Sequence, residues 1–399
     1  MGLHSDDRAA PACQAIVLDA DQRSALAVTR SLGRHQVRVI VADKKIPTLA
    51  GSSKFSCGAF QYPTPAVELS AFIATLAALG PFAEAPVLIA CTDETLPAII
   101  GAATALQRFV FCVPSADAYH RLSDKWALYD LAQRCDVPVP VTSRLAPGVR
   151  SIGHLSCTAD QLVIKPRQSV LDFGTSRVKL PVIQLAKAML PALLAGGAFP
   201  DQADLLVQDV VPGWGVGVSV VCDQGKVVAW FAHRRLREQP PAGGVSVYCE
   251  SIALPPELRR YCAALIEATS WHGPAMFEFK MDATGAAHLI EVNGRLWGSV
   301  QLAIDCGVDI PLLMYRLARG EAVAHQDGYA IGRRLRWLIG DLSHLYLVLR
   351  GKGVNTITPS RLRTLFDVMC TDIRRTSVED WRYGDYRPFW YQAAAEVRA

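Results

Sequence analysis

The 399-residue chain has no Cys-x-x-Cys pair, no His-x-His and no His-Glu-x-x-His, although it carries 11 cysteines and nine histidines. Zinc ribbons and zinc-peptidase helices need those spacings, and an odd number of scattered cysteines makes no disulfide framework. The thiols are expected to be free, in a reducing compartment. The first dozen residues, with Asp6, Asp7 and Arg8, lack the apolar core of a secretory signal, and no uninterrupted apolar run reaches bilayer length. A cytoplasmic protein without stable membrane insertion is expected. Charge of one sign is scarce too. Lys plus Arg number 41 and Asp plus Glu 37, a net of +4, which is small for this length and does not suggest a protein built to coat nucleic acid. No Ser/His/Asp or Cys/His arrangement for nucleophilic catalysis can be identified.

What is present suits a globular enzyme of two or three domains: half the residues are apolar and a fifth charged. Residues 14 to about 120 alternate short apolar runs (Ala15 to Leu18, Val37 to Val41, Val87 to Ala90) with helical spacings (Ser24 to Leu32, Ala66 to Leu79, Leu96 to Leu106). That alternation implies βαβ units on a parallel sheet. The loop after the first run, Asp19 to Ser24, contains no glycine, so the dinucleotide fingerprint is missing. A helix is expected from Lys125 to Cys135, with Ser123 or Asp124 as its N-cap. Beyond Leu205 the pattern turns strand-rich, with hairpin signals at 223–226 and 282–285, and after Gly320 it becomes helical and basic.

The segment 274–295 is the most informative. Phe277, Phe279 and Met281 alternate with Met276, Glu278 and Lys280; after the turn, His288, Ile290 and Val292 alternate with Leu289, Glu291 and Asn293. A turn centred between Thr284 and Gly285 places residues whose numbers sum to 569 opposite each other. Glu278 then faces Glu291, and Met276 faces Asn293. Two carboxylates at ~5 Å repel by roughly 3 kcal/mol at an effective dielectric of about 20, so the pair calls for a cation. Glu, Glu and Asn offer oxygen ligands of the kind that suit Mg²⁺ (or Mn²⁺), and Arg295 beside them suits phosphoryl transfer.

Other candidates lie upstream. Lys165 closes a buried strand and Lys125 opens a helix, either in reach of phosphate. The strand Leu205 to Val211, ending in Gln208 and Asp209 before Pro212-Gly213, can offer backbone groups to an adenine edge. His233-Arg234-Arg235 followed by the Gly243-Gly244 loop reads as an anion site, with guanidinium forks for a carboxylate and glycines that admit backbone N–H groups.

In this order the elements resemble the ATP-grasp superfamily, particularly its carbamoyl-phosphate-synthase-like carboxylate–amine ligases. The pieces are Asp124-Lys125-Trp126, Val137-Pro138-Val139-Pro140, Val163-Ile164-Lys165-Pro166, Val207-Gln208-Asp209 with Pro212-Gly213, Phe277-Glu278-Phe279 and Glu291-Val292-Asn293-Gly294-Arg295. The resemblance spans roughly residues 14–320. It implies a Rossmann-like pre-ATP-grasp domain (1–119), a two-lobed ATP-grasp fold (120–204 and 205–320) and a basic helical tail (321–399). It also implies roles. Lys125 and Lys165 hold the ATP phosphates, and Gln208, Asp209, Val210 and Val211 form the adenine hinge. Glu278, Glu291 and Asn293 bind Mg²⁺, Arg295 stabilises the transferring phosphoryl group, and Arg234, Arg235, Gly243 and Gly244 meet the substrate. The implied partners are a small carboxylic acid and an amine, with no nucleic acid; homo-oligomers stay open. The chain departs from the family at Asp209, where many relatives carry glutamate, at Gly294, where many carry proline, and in the phosphate-covering loop, about Gln168 to Arg177, whose one glycine is Gly174. Bicarbonate activation, nucleotide-binding regulation without catalysis, and surface binding through the tail are the competing readings.

Overall fold

The computed structural model describes residues 13–149, 152–153, 155–168, 170–172, 177–353, 359–372 and 374–398. The chain divides into two units, 1–112 with 311–323 and 380–399, and 113–310 with 324–379.

The first unit is built on four parallel strands in the order β3-β2-β1-β4: β1 (Ala15–Val17), β2 (Val39–Asp43), β3 (Ser56–Gln61) and β4 (Val87–Ile89). The apolar runs of β1, β2 and β4 are buried because parallel strands are covered on both faces. β3 was not expected from its sequence. It is a sheet edge, and its Ser-Cys-Gly-Ala-Phe-Gln has little to bury. The helix Arg23–Arg34 carries a buried Arg30, whose Nε donates to Asp385 at 2.7 Å and whose Nη2 donates to the carbonyls of Asp380 and Asp385. A guanidinium buried this deeply is tolerated only when its donors are filled, so the last residues of the chain are anchored in this unit. After β1 the loop turns at Asp19 (φ 58°), whose carboxylate accepts from the Cys91 N–H, Thr95 and Tyr62.

The second unit holds two main sheets, antiparallel throughout except for one parallel pair at the edge of the larger one. The smaller, in the order β5-β10-β6-β9, contains β5 (Thr142–Leu145), β6 (Gln161–Pro166), β9 (Ile183–Ala186) and β10 (Leu205–Asp209). A hairpin pairs β7 (Val170–Asp172), inside the expected phosphate-covering loop, with β8 (Arg177–Lys179) at its end; Gly174 itself lies outside the described residues. The larger sheet, in the order β15-β14-β11-β12-β13-β16-β17, contains β11 (Trp214–Asp223), β12 (Lys226–Gln239), β13 (Val245–Ser251), β14 (Gly273–Met281), β15 (Ala287–Asn293), β16 (Arg334–Arg336) and β17 (Thr376–Val378). Val216, Val218, Val220, Phe277 and Phe279 on one face pack with Tyr261, Leu265 and Ile266 of the helix Pro256–Thr269. The opposite face carries Glu278. From residue 321 onward the chain carries the helices Leu338–Arg350, Arg361–Met369 and Arg387–Arg398 and also contributes β16 and β17 to this sheet, and its last twenty residues group with the first unit.

Candidate active site

The β14–β15 hairpin brings the two glutamates together in the expected register. Met276 pairs with Asn293, Phe277 with Val292 and Glu278 with Glu291. Nearer the turn the register slips by one, so Phe279 pairs with Leu289 and Lys280 with His288. The extra residue is Ile290. The turn is thus centred at residue 284, half a residue from the expected point, and a bulge restores the alignment at the acids. The Asn293 amide donates to Glu278 at 2.9 Å and to Glu291 at 3.5 Å, bracketing both carboxylates.

The charge these acids need is supplied by the chain itself. Arg235 forms a salt bridge to Glu278 through Nη2 and reaches Glu238 at 2.9 Å through Nη1. It leans from β12 across β11 to β14, and it can do so because β11 presents glycine on this face. A Cβ at Gly215 would lie 3.0 Å from the Arg235 side chain, and one at Gly217 would overlap the buried His233 ring. Burial raises the Glu278 pKa despite Arg235. Burial would raise Glu291 as well, but Lys125, Lys165, Arg235 and Arg295 together overcome it and hold Glu291 below its usual range. Repulsion between the facing acids therefore does not by itself demand a metal. The donor set still fits one, since Mg²⁺ is content with few protein oxygens and completes its shell with phosphate and water. Among the described residues no three or more His, Cys, Asp or Glu are grouped so as to hold a metal ion, so a metal here would rest on two carboxylates and an amide.

Lys165 is buried on β6. Its Nζ donates to the Tyr129 hydroxyl at 2.7 Å and to Gln208 Oε1 at 3.0 Å. Burial pushes its pKa down to about 8, against the pull of Glu291 and Glu278. Tyr129 is the residue sequence reasoning missed. Its hydroxyl accepts from Lys165 and from Gln208 Nε2 (2.9 Å) and donates to the Ile290 carbonyl at 2.7 Å. One phenol thus joins the helix Lys125–Arg134, the smaller sheet and the bulge beside the acid pair. Tyr129 stands one turn after Lys125, on the same helix face, and that spacing was the available signal. Asp124 caps this helix by accepting from the N–H groups of Trp126 and Ala127, and it holds Arg167 beyond β6 at 2.8 Å. Lys125 is buried beside Glu291 at the start of that helix.

At the hinge the backbone is more occupied than expected. The Asp209 N–H donates to Val141 and the Val210 N–H to Gln161, while the Asp209 carboxylate receives the N–H groups of Thr158 and Ala159. The Gln208 side chain serves Lys165, Tyr129 and Thr142. Asp209 and Val210 are corrected in this respect: their N–H groups tie β10 to its neighbours and do not face a ligand. The Val211 N–H has no such partner among the described residues.

The arginine cluster also needs correction. Arg234 and Arg235 are adjacent on a strand, so they point to opposite faces. Arg235 lies with Glu278; Arg234 lies on the other face and, with Arg334, grips Glu250. Arg234 therefore does not share the site. Gly243 (φ 135°) closes a turn by donating its N–H to Pro240, so that N–H does not face outward either, and the Gly244 carbonyl accepts from Arg235 at 3.4 Å. Arg295 follows Asn293 and adds its charge to the field on Glu291. Gly294 has a physical reason for its departure: a Cβ there would come within 2.8 Å of the fully buried Trp271 ring.

Residues 201–337 match the family model described as "ATP-grasp in the biosynthetic pathway with Ter operon". No curated protein is recognisably similar in sequence. Among solved structures the chain is similar to an L-amino acid ligase from Bacillus licheniformis, with 14% identity, a TM-score of 0.58, and coverage of 77% of this chain and 74% of that one. It is similar to N5-carboxyaminoimidazole synthetase from Staphylococcus aureus, with 12% identity, a TM-score of 0.62, and 85% of both chains covered. It is also similar to the biotin carboxylase domain of 2-oxoglutarate carboxylase from Hydrogenobacter thermophilus, solved as a dimer with MgADP, ADP and bicarbonate. There the identity is 14%, the TM-score 0.62 and the coverage 80% and 73%.

Proposed function

We propose, from the ATP-grasp fold of this chain as premise, that it is an ATP-dependent ligase that activates a carboxylic acid as an acyl-phosphate and passes the acyl group to an amine. One observation carries the reading. Four cations, Lys125, Lys165, Arg235 and Arg295, act on Glu291, which stands opposite Glu278 and is bracketed by Asn293. Four positive charges against three acids, Glu278, Glu291 and the Glu238 that Arg235 also holds, leave an excess of one that suits a bound anion, and the oxygens suit the divalent ion that accompanies a triphosphate.

When bound, Mg²⁺ would supply Lewis-acid stabilisation of the phosphoryl oxygens, held by Glu278, Glu291 and Asn293. Lys165 and Lys125 orient the phosphates. Lys165 is kept straight by Tyr129 and Gln208. The hinge offers the Val211 N–H to the adenine edge. Arg295 faces the charge that develops as the γ-phosphoryl group moves from ATP to a carboxylate oxygen. The amine then attacks the acyl carbon and phosphate departs, so no side-chain nucleophile is needed. Arg235 stands at the acceptor end, held in place by Glu278 and Glu238, and its guanidinium charge would meet the carboxylate of the acid.

An ADP-release screen pairing small carboxylic acids with amines, amino acids and ammonia tests the proposal. Turnover that needs both an acid and an amine supports it. Turnover with bicarbonate alone assigns carboxylase-like chemistry instead, and nucleotide binding without turnover across the panel assigns a regulator.

A further inference from the structure

The helix Arg361–Met369 is packed the wrong way round for a soluble protein. It buries Thr364 and Val368 and turns its larger apolar residues outward, with Leu362 81%, Phe366 65% and Met369 74% exposed and Leu365 exposed beside them. Positions 362, 365, 366 and 369 form one continuous helical stripe. The helix Leu338–Arg350 packs against it and shows the same habit, with Leu342, Tyr346 and Leu349 exposed at i, i+4 and i+7. Seven large apolar side chains at regular spacing on two packed helices exceed the scattered exposure normal for a monomer surface.

The surroundings of the stripe select its partner. Arg361 and Arg363 flank it on the same helix, and Arg350, Lys352, Arg374 and Arg375 lie close in sequence, all exposed. Residues 350–375 contain six basic and two acidic residues, a net of +4 equal to that of the whole chain. A second copy would bring the same basic rim against itself. A nucleic acid would use the arginines and leave leucine, phenylalanine and methionine in water. A surface with anionic headgroups above an apolar layer satisfies both parts at once. Among the described residues no helix is long and apolar enough to cross a membrane, so the helices would lie in the interface plane.

We infer that the paired helices Leu338–Arg350 and Arg361–Met369 form a peripheral docking surface for membranes bearing anionic phospholipid. The surface uses none of the residues proposed for nucleotide or metal, so it stands or falls separately from the proposed activity.

The test is co-sedimentation of the full chain with vesicles of phosphatidylcholine alone and of phosphatidylcholine mixed with phosphatidylglycerol, at low and physiological salt. Binding is expected to the mixed vesicles only and to weaken with salt. L362S/F366S/M369S should abolish it, and R361E/R363E should weaken it by about tenfold or more. Both variants should keep the cooperative thermal unfolding transition of the wild type, which shows that they fold. Equal binding by wild type and variants, or no binding to either vesicle, overturns the inference. So does a wild-type dimer in sedimentation that L362S/F366S/M369S converts to monomer, which would assign the stripe to a second copy.

Discussion

Each unit buries a carboxylate cluster, and the two are satisfied by opposite means. Asp19, in the first unit, is surrounded by neutral donors: the Cys91 N–H at 2.9 Å, Thr95 at 2.5 Å and Tyr62 at 3.0 Å. Burial raises its pKa, and so it does for neighbouring Asp43. Glu291, in the second unit, is half-buried, and burial pushes its pKa up too, but it is ringed by four cations that hold its pKa down. An acid that neutral donors fill completely has a structural task, closing the loop after β1. An acid kept ionised by an excess of cations is ready for an added ion and an added anion. Burial alone does not separate the two cases; the charge of the surrounding groups does.

Charge removal from each cluster should give the largest contrast. Glu291→Gln is expected to lower turnover by about 10²–10³-fold, with little loss of stability. Asp19→Asn is expected to cost about 1–3 kcal/mol of stability, through a buried donor left facing an amide, while the folded fraction keeps its KM for ATP. Thermal unfolding and steady-state kinetics on both variants read the difference; a stable, inactive Asp19→Asn would erase the distinction.

Next in size is Arg295→Ala, expected to lower kcat by about 10²-fold with ATP affinity kept, and to be rescued poorly by lysine. Lys165 gives a pH signature. Its pKa near 8 lies below the unfolded value, so the folded protein releases this proton first as pH rises. Charge on Lys165 is present below about pH 8 and lost above it. The kcat/KM for ATP should therefore fall on an alkaline limb near pH 8, and Lys165→Arg should remove that limb. Tyr129→Phe leaves Lys165 with Gln208 alone and should raise KM for ATP several-fold and move the same limb; an unmoved limb would make Tyr129 a packing residue only. The smallest effect separates the faces of β12. Arg235→Ala should raise KM for the acid, whereas Arg234→Ala should leave it within about twofold, since Arg234 lies on the face away from the site and Arg334 still holds Glu250.

Much of the site was legible because period two is a strong signal. It placed Glu278 opposite Glu291 and Met276 opposite Asn293. The bulge at Ile290 was not legible, since nothing in Leu289-Ile290-Glu291 marks an extra residue; the register came out right because the bulge offsets a turn centred half a residue away. The same periodicity parts Arg234 from Arg235, which as neighbours on β12 face opposite sides of the sheet. β3, β16 and β17 escaped notice because an edge strand and three-residue strands carry too little pattern to stand out from loops. The occupied N–H groups of Asp209 and Val210 depend on strands β5 and β6, distant in sequence, and local reading has no access to them.

The central claim is that the acid pair and its four cations form a Mg·ATP site. Isothermal titration of the full chain with Mg·ATP tests it most directly, run on wild type, Glu291→Gln and Lys165→Ala, with and without chelator. The account predicts binding by wild type that chelator weakens at least about tenfold, with each variant weakened to a similar degree, about 1.4 kcal/mol or more. At about 100 times its dissociation constant, the nucleotide should stabilise wild type by roughly 2.7 kcal/mol. Equal, chelator-insensitive affinity in all three proteins would contradict the assignment of these residues to the nucleotide and its metal.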